Sequence, residues 1–332
     1  MARRKLTHQQ RARIAKIQAQ RRERAEARAE AALAGTEQGE QFEGRVVVRH
    51  GQNLVLRTGN GQRVHCLFRQ NLGEVVCGDK VLWQATEGEQ GVVIALLDRD
   101  STLSRPDYSG RDKPIAANIT QLVVVLAPEP EPSGYLLDQY LVAAERIGVK
   151  AAICLNKADL LSDDGRKEFL QRFAHYENLG YPLIQVSAKT EHGLDPLFEQ
   201  LRDQTSILVG QSGVGKSSLI NAILPSEGVE EGKLSDSTGL GRHTTSAATL
   251  YELESGGEII DSPGVRSFRL GKIERRELEF GYPEIRALIG KCRFKNCSHT
   301  DEPGCAVREA EQAGMLHPER LASFLHLAAQ VD

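Results

Sequence analysis

The stretch Gly210-Gln211-Ser212-Gly213-Val214-Gly215-Lys216-Ser217 constrains the chain more than any other. It is a complete G-x-x-x-x-G-K-S phosphate loop, entered from the apolar run Ile207-Leu208-Val209 and left through Ser218-Leu219-Ile220. That context predicts strand, Gly-rich turn and helix in succession. The glycines let backbone N–H groups turn inward around a polyphosphate, Lys216 adds a point charge at the outer phosphates, and the Ser217 hydroxyl can ligate Mg²⁺.

The segments before this loop alternate in type. Gln121 to Ala127 reads as a buried parallel strand and Tyr135 to Ile147 as an amphipathic helix ended by Gly148. A strand at Ala151 to Leu155, a helix around Arg166 to Asn178, a strand at Leu183 to Val186 and a helix at Leu194 to Arg202 follow. This alternation predicts a parallel sheet covered by helices on both faces.

Two of its strand ends carry further chemistry, where open α/β sheets bind ligands. One is Asn156-Lys157-Ala158-Asp159, an N-K-x-D sequence, and the other is Ser187-Ala188-Lys189. Asp159 can accept hydrogen bonds from the ring N–H and exocyclic amine of guanine, which adenine does not offer, so the pair points to GTP rather than ATP. Lys157 would lie over the base and Asn156 would brace the loop. The expected nucleotide-contacting set is Asn156, Lys157, Asp159, Ser187, Ala188 and Lys189 with Gly210 through Ser218 and Gly264.

After the phosphate loop, Ser226 to Ser246 is polar, Gly-rich and aperiodic, and is expected to be mobile. It contains Gly241-Arg242-His243-Thr244-Thr245. A hairpin of Thr249 to Leu253 and Glu258 to Ile260 then leads to Asp261-Ser262-Pro263-Gly264. Asp261 at a strand end can hold Mg²⁺, and Gly264 can bring a backbone N–H to the terminal phosphate. A threonine would complete the metal shell; spacing leaves Thr244 and Thr245 both open. From Gly264 the chain runs through Ser267-Phe268-Arg269-Leu270 straight into the C-terminal segment, so a movement of the loop would pass covalently to it.

That segment carries Cys292-x4-Cys297-x-His299-x5-Cys305. Three thiolates and an imidazole form a tetrahedral set that fills all four positions of one structural Zn²⁺ ion. Helices near Tyr282 to Ile289 and Pro318 to Ala329 would dock around it. Cys66, Cys77 and Cys154 are unclustered and read as core residues.

The N-terminal side differs again. Residues 1–35 hold ten Lys/Arg against three Glu, with few large apolar residues, in a chain whose formal net charge is −3. Such an arm suits a polyanion and cannot build a core. Five short β-rich runs follow: Gly44 to Arg49, Asn53 to Arg57, Gln62 to Phe68, Asp79 to Gln84 and Gly91 to Leu97. Their number and turn spacing predict an OB-fold barrel, a nucleic-acid-binding architecture, with Phe68 and Trp83 in its core. The longest apolar run, Leu122 to Ala127, is far short of the ~18 residues a membrane helix needs. With no apolar signal segment the chain is expected in the cytoplasm.

Taken together, these motifs resemble those of the ribosome small subunit-dependent GTPase A (RsgA/YjeQ) family. The guanine-reading motifs precede the phosphate loop, whereas ordinary GTPases carry them after D-x-x-G; the order is a circular permutation. The resemblance implies a multidomain chain: a basic tail over 1–40, an OB-fold over 41–100, a circularly permuted α/β P-loop GTPase domain over 101–272 that opens with a linker over 101–118, and an α-helical zinc-binding domain over 273–332. It also implies a GTPase stimulated by the small ribosomal subunit, acting late in its maturation, with that subunit and its rRNA as partners and GTP/GDP as ligands. A monomer and an RNA-facing zinc domain are expected. Two other classes fit parts of the pattern, a P-loop metabolic kinase and an RNA-binding module with vestigial nucleotide chemistry.

One position departs from ordinary GTPases. Where many have a water-orienting glutamine after D-x-x-G, this chain has Val265. An aliphatic side chain cannot orient water. Catalysis must then draw on Lys216 for charge and on another group for the water; His243 is nearest in sequence, and the family's G-x-H-T-T histidine takes that part.

Overall fold

Why the chain forms a barrel first is visible in the pairing. The computed structural model describes residues 40–51, 53–68, 72–86, 90–107, 109–224, 248–262, 270–271 and 273–331. The described residues fall into two compact units, one within Met1–Arg99 plus Ser246–Thr249, the other within Asp100–Thr245 plus Leu250–Asp332. The first contains β1 (Gln41–His50), β2 (Asn53–Thr58), β3 (Arg63–Phe68), β4 (Lys80–Thr86) and β5 (Gln90–Leu96), in the order β1-β2-β3-β5-β4 and closed by pairing of β1 with β4. Strand β1 pairs twice: Gln41–Arg45 run along β4, and residues from Gly44 onward run along β2, with an irregularity between Val46 and Val48. A bulge of this kind bends a strand and lets a small sheet close on itself.

The five expected strands are all present, and the OB-like barrel stands. Its core is Val46, Leu54, Leu56, Cys66, Phe68, Val75, Val81, Trp83 and Val93. A Cβ at Gly91 would lie 2.6 Å from the Trp83 ring and 2.7 Å from Cys66 Sγ, so the glycine makes room for the indole. Burial pushes the Cys66 and Cys77 thiols up to about 12, as it does Cys154 in the second unit. All three are inert core groups.

The second unit opens with an unexpected element. Residues 101–118 are not a linker: β6 (Thr102–Pro106) and β7 (Asp112–Ala117) form an antiparallel hairpin. Pro106 and Pro114 are tolerated because a two-stranded ribbon has no third strand demanding their missing N–H groups. The Asp107 carboxylate accepts from the backbone N–H groups of Ser109 and Arg111 and so builds the turn. Leu103, Ala116 and Ala117 are buried.

Beyond it come β8 (Gln121–Leu126), α1 (Gly134–Ile147), β9 (Lys150–Leu155), α2 (Asp163–Glu177), β10 (Leu183–Gln185), α3 (Leu194–Leu201), β11 (Thr205–Val209), α4 (Lys216–Ile223), β12 (Ala248–Glu252, its first two residues assigned to the first unit) and β13 (Glu258–Asp261). The parallel pairs run β10-β9-β8-β11-β13. β8 and β11 are buried along their whole length, which explains their uninterrupted apolar runs. Local signals set the helix ends. Ser133 Oγ accepts from Leu136 N to start α1, Gly148 at φ 70° stops it, and Ser162 Oγ accepts from Gly165 N to start α2.

Among the described residues four more helices follow: α5 (Arg275–Phe280), α6 (Pro283–Arg286), α7 (Ala306–Gln312) and α8 (Pro318–Ala328). The helix expected to reach Ile289 ends at Arg286. Arg320 of α8 is wholly buried. Its guanidinium bonds the Asp138 carboxylate of α1 and the Glu284 carboxylate of α6, the latter at 2.7 and 3.1 Å. It lies over the Tyr282 and Tyr176 rings, 4.3 and 5.3 Å from their centroids, while Tyr176 Oη donates to Asp138 Oδ1 at 2.8 Å. These contacts fix the C-terminal helices to α1.

A buried pair is costly to break from one side, because the remaining charge stays desolvated. Arg320→Ala is expected to lower unfolding free energy in urea by about 3–5 kcal/mol, and the combined Asp138→Leu, Glu284→Leu, Arg320→Met replacement to recover most of it. A loss under ~1 kcal/mol in Arg320→Ala, the scale of an exposed pair, would show that this cluster does not tie the helices to α1.

Candidate functional site

Three loops at the carboxyl ends of β9, β10 and β11 meet at one side chain. Asn156, buried at 2% exposure, donates from Nδ2 to Val214 O at 3.0 Å and accepts at Oδ1 from Ala188 N at 3.2 Å. The N-K-x-D and S-A-K segments are thereby joined to the phosphate loop. A further backbone bond, Ala158 N to Val186 O at 3.1 Å, ties the first two together.

The loop's glycines are required by this closeness. At Gly210, φ 140°, a Cβ would stand 2.3 Å from Val125 O; at Gly215, φ 90°, it would stand 2.5 Å from Asn156 Nδ2. Lys216 begins α4, and its Nζ donates to Gly210 O and Gln211 O at 2.8 and 2.6 Å. The ammonium is thus held over its own loop, where an anion would meet it. Val214 is buried, while Ser212, Gly213, Ser217 and Ser218 are exposed. Asp261 ends β13, next to β11, and is half-buried.

At the other end, Asp159 follows Lys157, which adopts φ 61° and donates from Nζ to Glu129 O at 2.7 Å. Ser187 Oγ donates to Asp159 Oδ1 at 2.6 Å and accepts from Thr190 N at 3.2 Å. That hydroxyl, helped by the Lys189 and Lys157 charges, holds the Asp159 carboxyl below the usual carboxylate range. The carboxylate is exposed and remains an acceptor into acid. Glu129, whose carbonyl anchors Lys157, is a site residue that sequence reading missed; a Pro/Glu-rich turn gives no sign of it. His243, Thr244, Thr245 and Gly264 lie outside the described residues.

The second constellation is Cys292, Cys297, His299 and Cys305, whose ligand atoms all lie within 4.8 Å of one another. His299 Nδ1 is 3.6 Å from Cys292 Sγ and 3.3 Å from Cys305 Sγ. Its Nε2 lies 3.5 Å from Glu279 Oε1. A ring with one nitrogen among thiols and the other on a carboxylate is oriented as a metal ligand needs. The donor set fits zinc. Glu279, on α5, was not found from spacing, since that helix is short and highly charged.

A family model described as RsgA GTPase matches residues 96–271. The chain is 46% identical to the small ribosomal subunit biogenesis GTPase RsgA of Hahella chejuensis over 98% of this chain and 96% of that one. It is 44% identical to the protein of the same name from Azotobacter vinelandii over 100% and 98%. Among solved structures, it is similar to YjeQ from Thermotoga maritima, with TM-score 0.71, 31% identity and coverage of 88% and 99%. It is also similar to YloQ, described as a circularly permuted GTPase, with TM-score 0.69, 29% identity and coverage of 89% and 96%.

Ser187→Ala removes the hydrogen bond that most stabilises ionised Asp159. The Asp159 carboxyl is expected to titrate at higher pH in this variant, followed by carboxyl-carbon NMR of the nucleotide-free protein. An unmoved midpoint would show that Ser187 does not set the charge of that carboxylate.

Proposed function

The chain belongs to the RsgA GTPase family, and on that footing we propose that it hydrolyses GTP under stimulation by the small ribosomal subunit and acts late in that subunit's maturation. The observation that carries this reading is the Asn156 junction, which sets a guanine-type acceptor and a phosphate loop on one sheet edge. A kinase would not need Asp159 there.

The residues divide the work between the two ends of the nucleotide. Asp159 accepts from the guanine ring N–H and amine, Lys157 covers the base, and Ser187, Ala188 and Lys189 close the base side. The backbone of Gly210 to Ser218 and the Lys216 ammonium hold the phosphates. Ser217, Asp261 and one of Thr244 and Thr245 would hold Mg²⁺, which offsets phosphate charge when bound. Gly264 offers an N–H to the terminal phosphate. His243 positions the attacking water in place of the glutamine that Val265 replaces.

Cys292, Cys297, His299 and Cys305 would hold one zinc ion, which supplies cross-linking rather than chemistry, since all four positions are filled by protein. The basic tail of residues 1–40, the barrel of 41–100 and the zinc domain of 273–332 flank the GTPase domain of 101–272 and meet rRNA. Ribosome assembly places this work in the cytoplasm, and the protein acts as a monomer. Among the described residues no helix is long and apolar enough to cross a membrane.

Turnover of GTP and of ATP by the full chain, with and without purified small subunits, tests the reading. GTP alone is expected to be hydrolysed, faster with subunits, and His243→Ala to keep GTP affinity while losing about 10²-fold or more of the stimulated rate. Equal use of ATP, or no response to subunits, contradicts the proposal. Parent-like stimulated turnover in His243→Ala removes that residue's role alone.

A further inference from the structure

The zinc-ligand loop carries side chains that metal binding does not use. Between Cys292 and Cys297 stand Arg293, Phe294, Lys295 and Asn296, all exposed, and Lys291 precedes them, also exposed. No acid occurs from Gly290 to Thr300, although acids outnumber Lys/Arg over residues 273–332 as a whole. The basic character is local. Among the described residues none of Lys291, Arg293 and Lys295 is ion-paired. Of the nearby acids, Glu302 accepts from Ser298 and Thr300, Glu279 faces His299 and Arg275, and Asp301 lies past the cations at the end of the loop.

Phe294 is 42% exposed on a loop that cannot readily turn it inward. Its carbonyl accepts from Cys297 N, Arg293 N donates to Gly304 O at 2.9 Å, and Lys291 N donates to Leu288 O at 3.1 Å. The ring is therefore presented by backbone pinned on both sides. The Arg293 guanidinium lies 5.5 Å from its centroid, and Ile289, itself 37% exposed, lines one hollow with Leu288, Phe294 and Lys295.

An exposed aromatic flanked by cations on a rigid loop has the two features that grip a single strand without reading its sequence: a face for a base and charges for the backbone on either side. We propose that this loop is a single-stranded RNA contact in which an unpaired base stacks on Phe294 and Lys291, Arg293 and Lys295 neutralise neighbouring phosphates. The occupant is RNA rather than an acidic protein, because a carboxylate-rich partner would use the three cations and leave the ring without a planar counterpart. The site deepens the rRNA-binding reading and rests on it.

The test is binding of a fluorescent, unstructured RNA oligonucleotide to the full zinc-loaded chain, by anisotropy over a salt series. Phe294→Ala is expected to bind roughly 5- to 150-fold more weakly, the span of one base stack, with its salt slope unchanged, and Phe294→Tyr to keep parent affinity. Combined Lys291→Gln, Arg293→Gln and Lys295→Gln is expected to flatten the log-log slope by about 2, at ~0.7 per phosphate contact. Zinc content and intrinsic GTP turnover should stay at parent values in all variants. Parent-like RNA affinity in Phe294→Ala overturns the stacking contact, and competition by polyglutamate as effective as that of RNA overturns the choice of partner. Either failure leaves subunit-stimulated GTP turnover, measured separately, untouched.

Discussion

The amide of Asn156 is the contact on which the site depends. A primary amide has a donor side and an acceptor side in one rigid plane, and here each serves a different loop: Nδ2 holds Val214 of the phosphate loop and Oδ1 holds Ala188 of the S-A-K segment. The first bond is buried and the second partly buried, where an unmade one costs the desolvation of the group left behind. The two ends of the proposed nucleotide site, which arise from strands far apart in the chain, are thus held at a fixed separation before any nucleotide arrives. Gly215 follows from the same contact, since any side chain there would meet the amide.

Circular permutation changes chain order but not this junction. The strands that carry Asn156 and Ser187 come first and β11 with its phosphate loop comes later, yet in the parallel sheet β9 and β11 flank β8. What permutation alters is the exit. Past Asp261 the chain proceeds to α5 and the zinc-ligand loop, and Arg320 locks those helices to α1 through Asp138. The C-terminal helices are therefore joined to the GTPase sheet both by the chain and by a buried charge cluster. A rigid mount of this kind suits a module that presents a loop to a large partner.

Much of this was legible in the sequence where one local signal dominates. Strand ends at Leu155 and Val209 could be read from apolar runs meeting Asn156-Lys157 and Gly210, and the barrel strands from alternation between Gly-containing turns. Other parts were not. The β6–β7 hairpin was hidden because Pro106, Gly110 and Pro114 are loop-forming residues in most settings, and only a two-stranded ribbon accommodates them. Helix α5 has one buried apolar residue, Leu278, so periodicity had nothing to register. Arg320, Asp138 and Glu284 look like surface charges in sequence; their burial is a tertiary fact, as is the pairing of Glu279 with His299.

One buried amide thus preorganises both ends of the proposed nucleotide site. The measurement is a calorimetric titration of GDP into the parent and Asn156→Ala proteins, since GDP would engage both ends without any chemistry. The variant is expected to stay folded but to bind GDP at least about 10-fold more weakly, the loss of one or two hydrogen bonds to the loops. GDP affinity within twofold of the parent would contradict it.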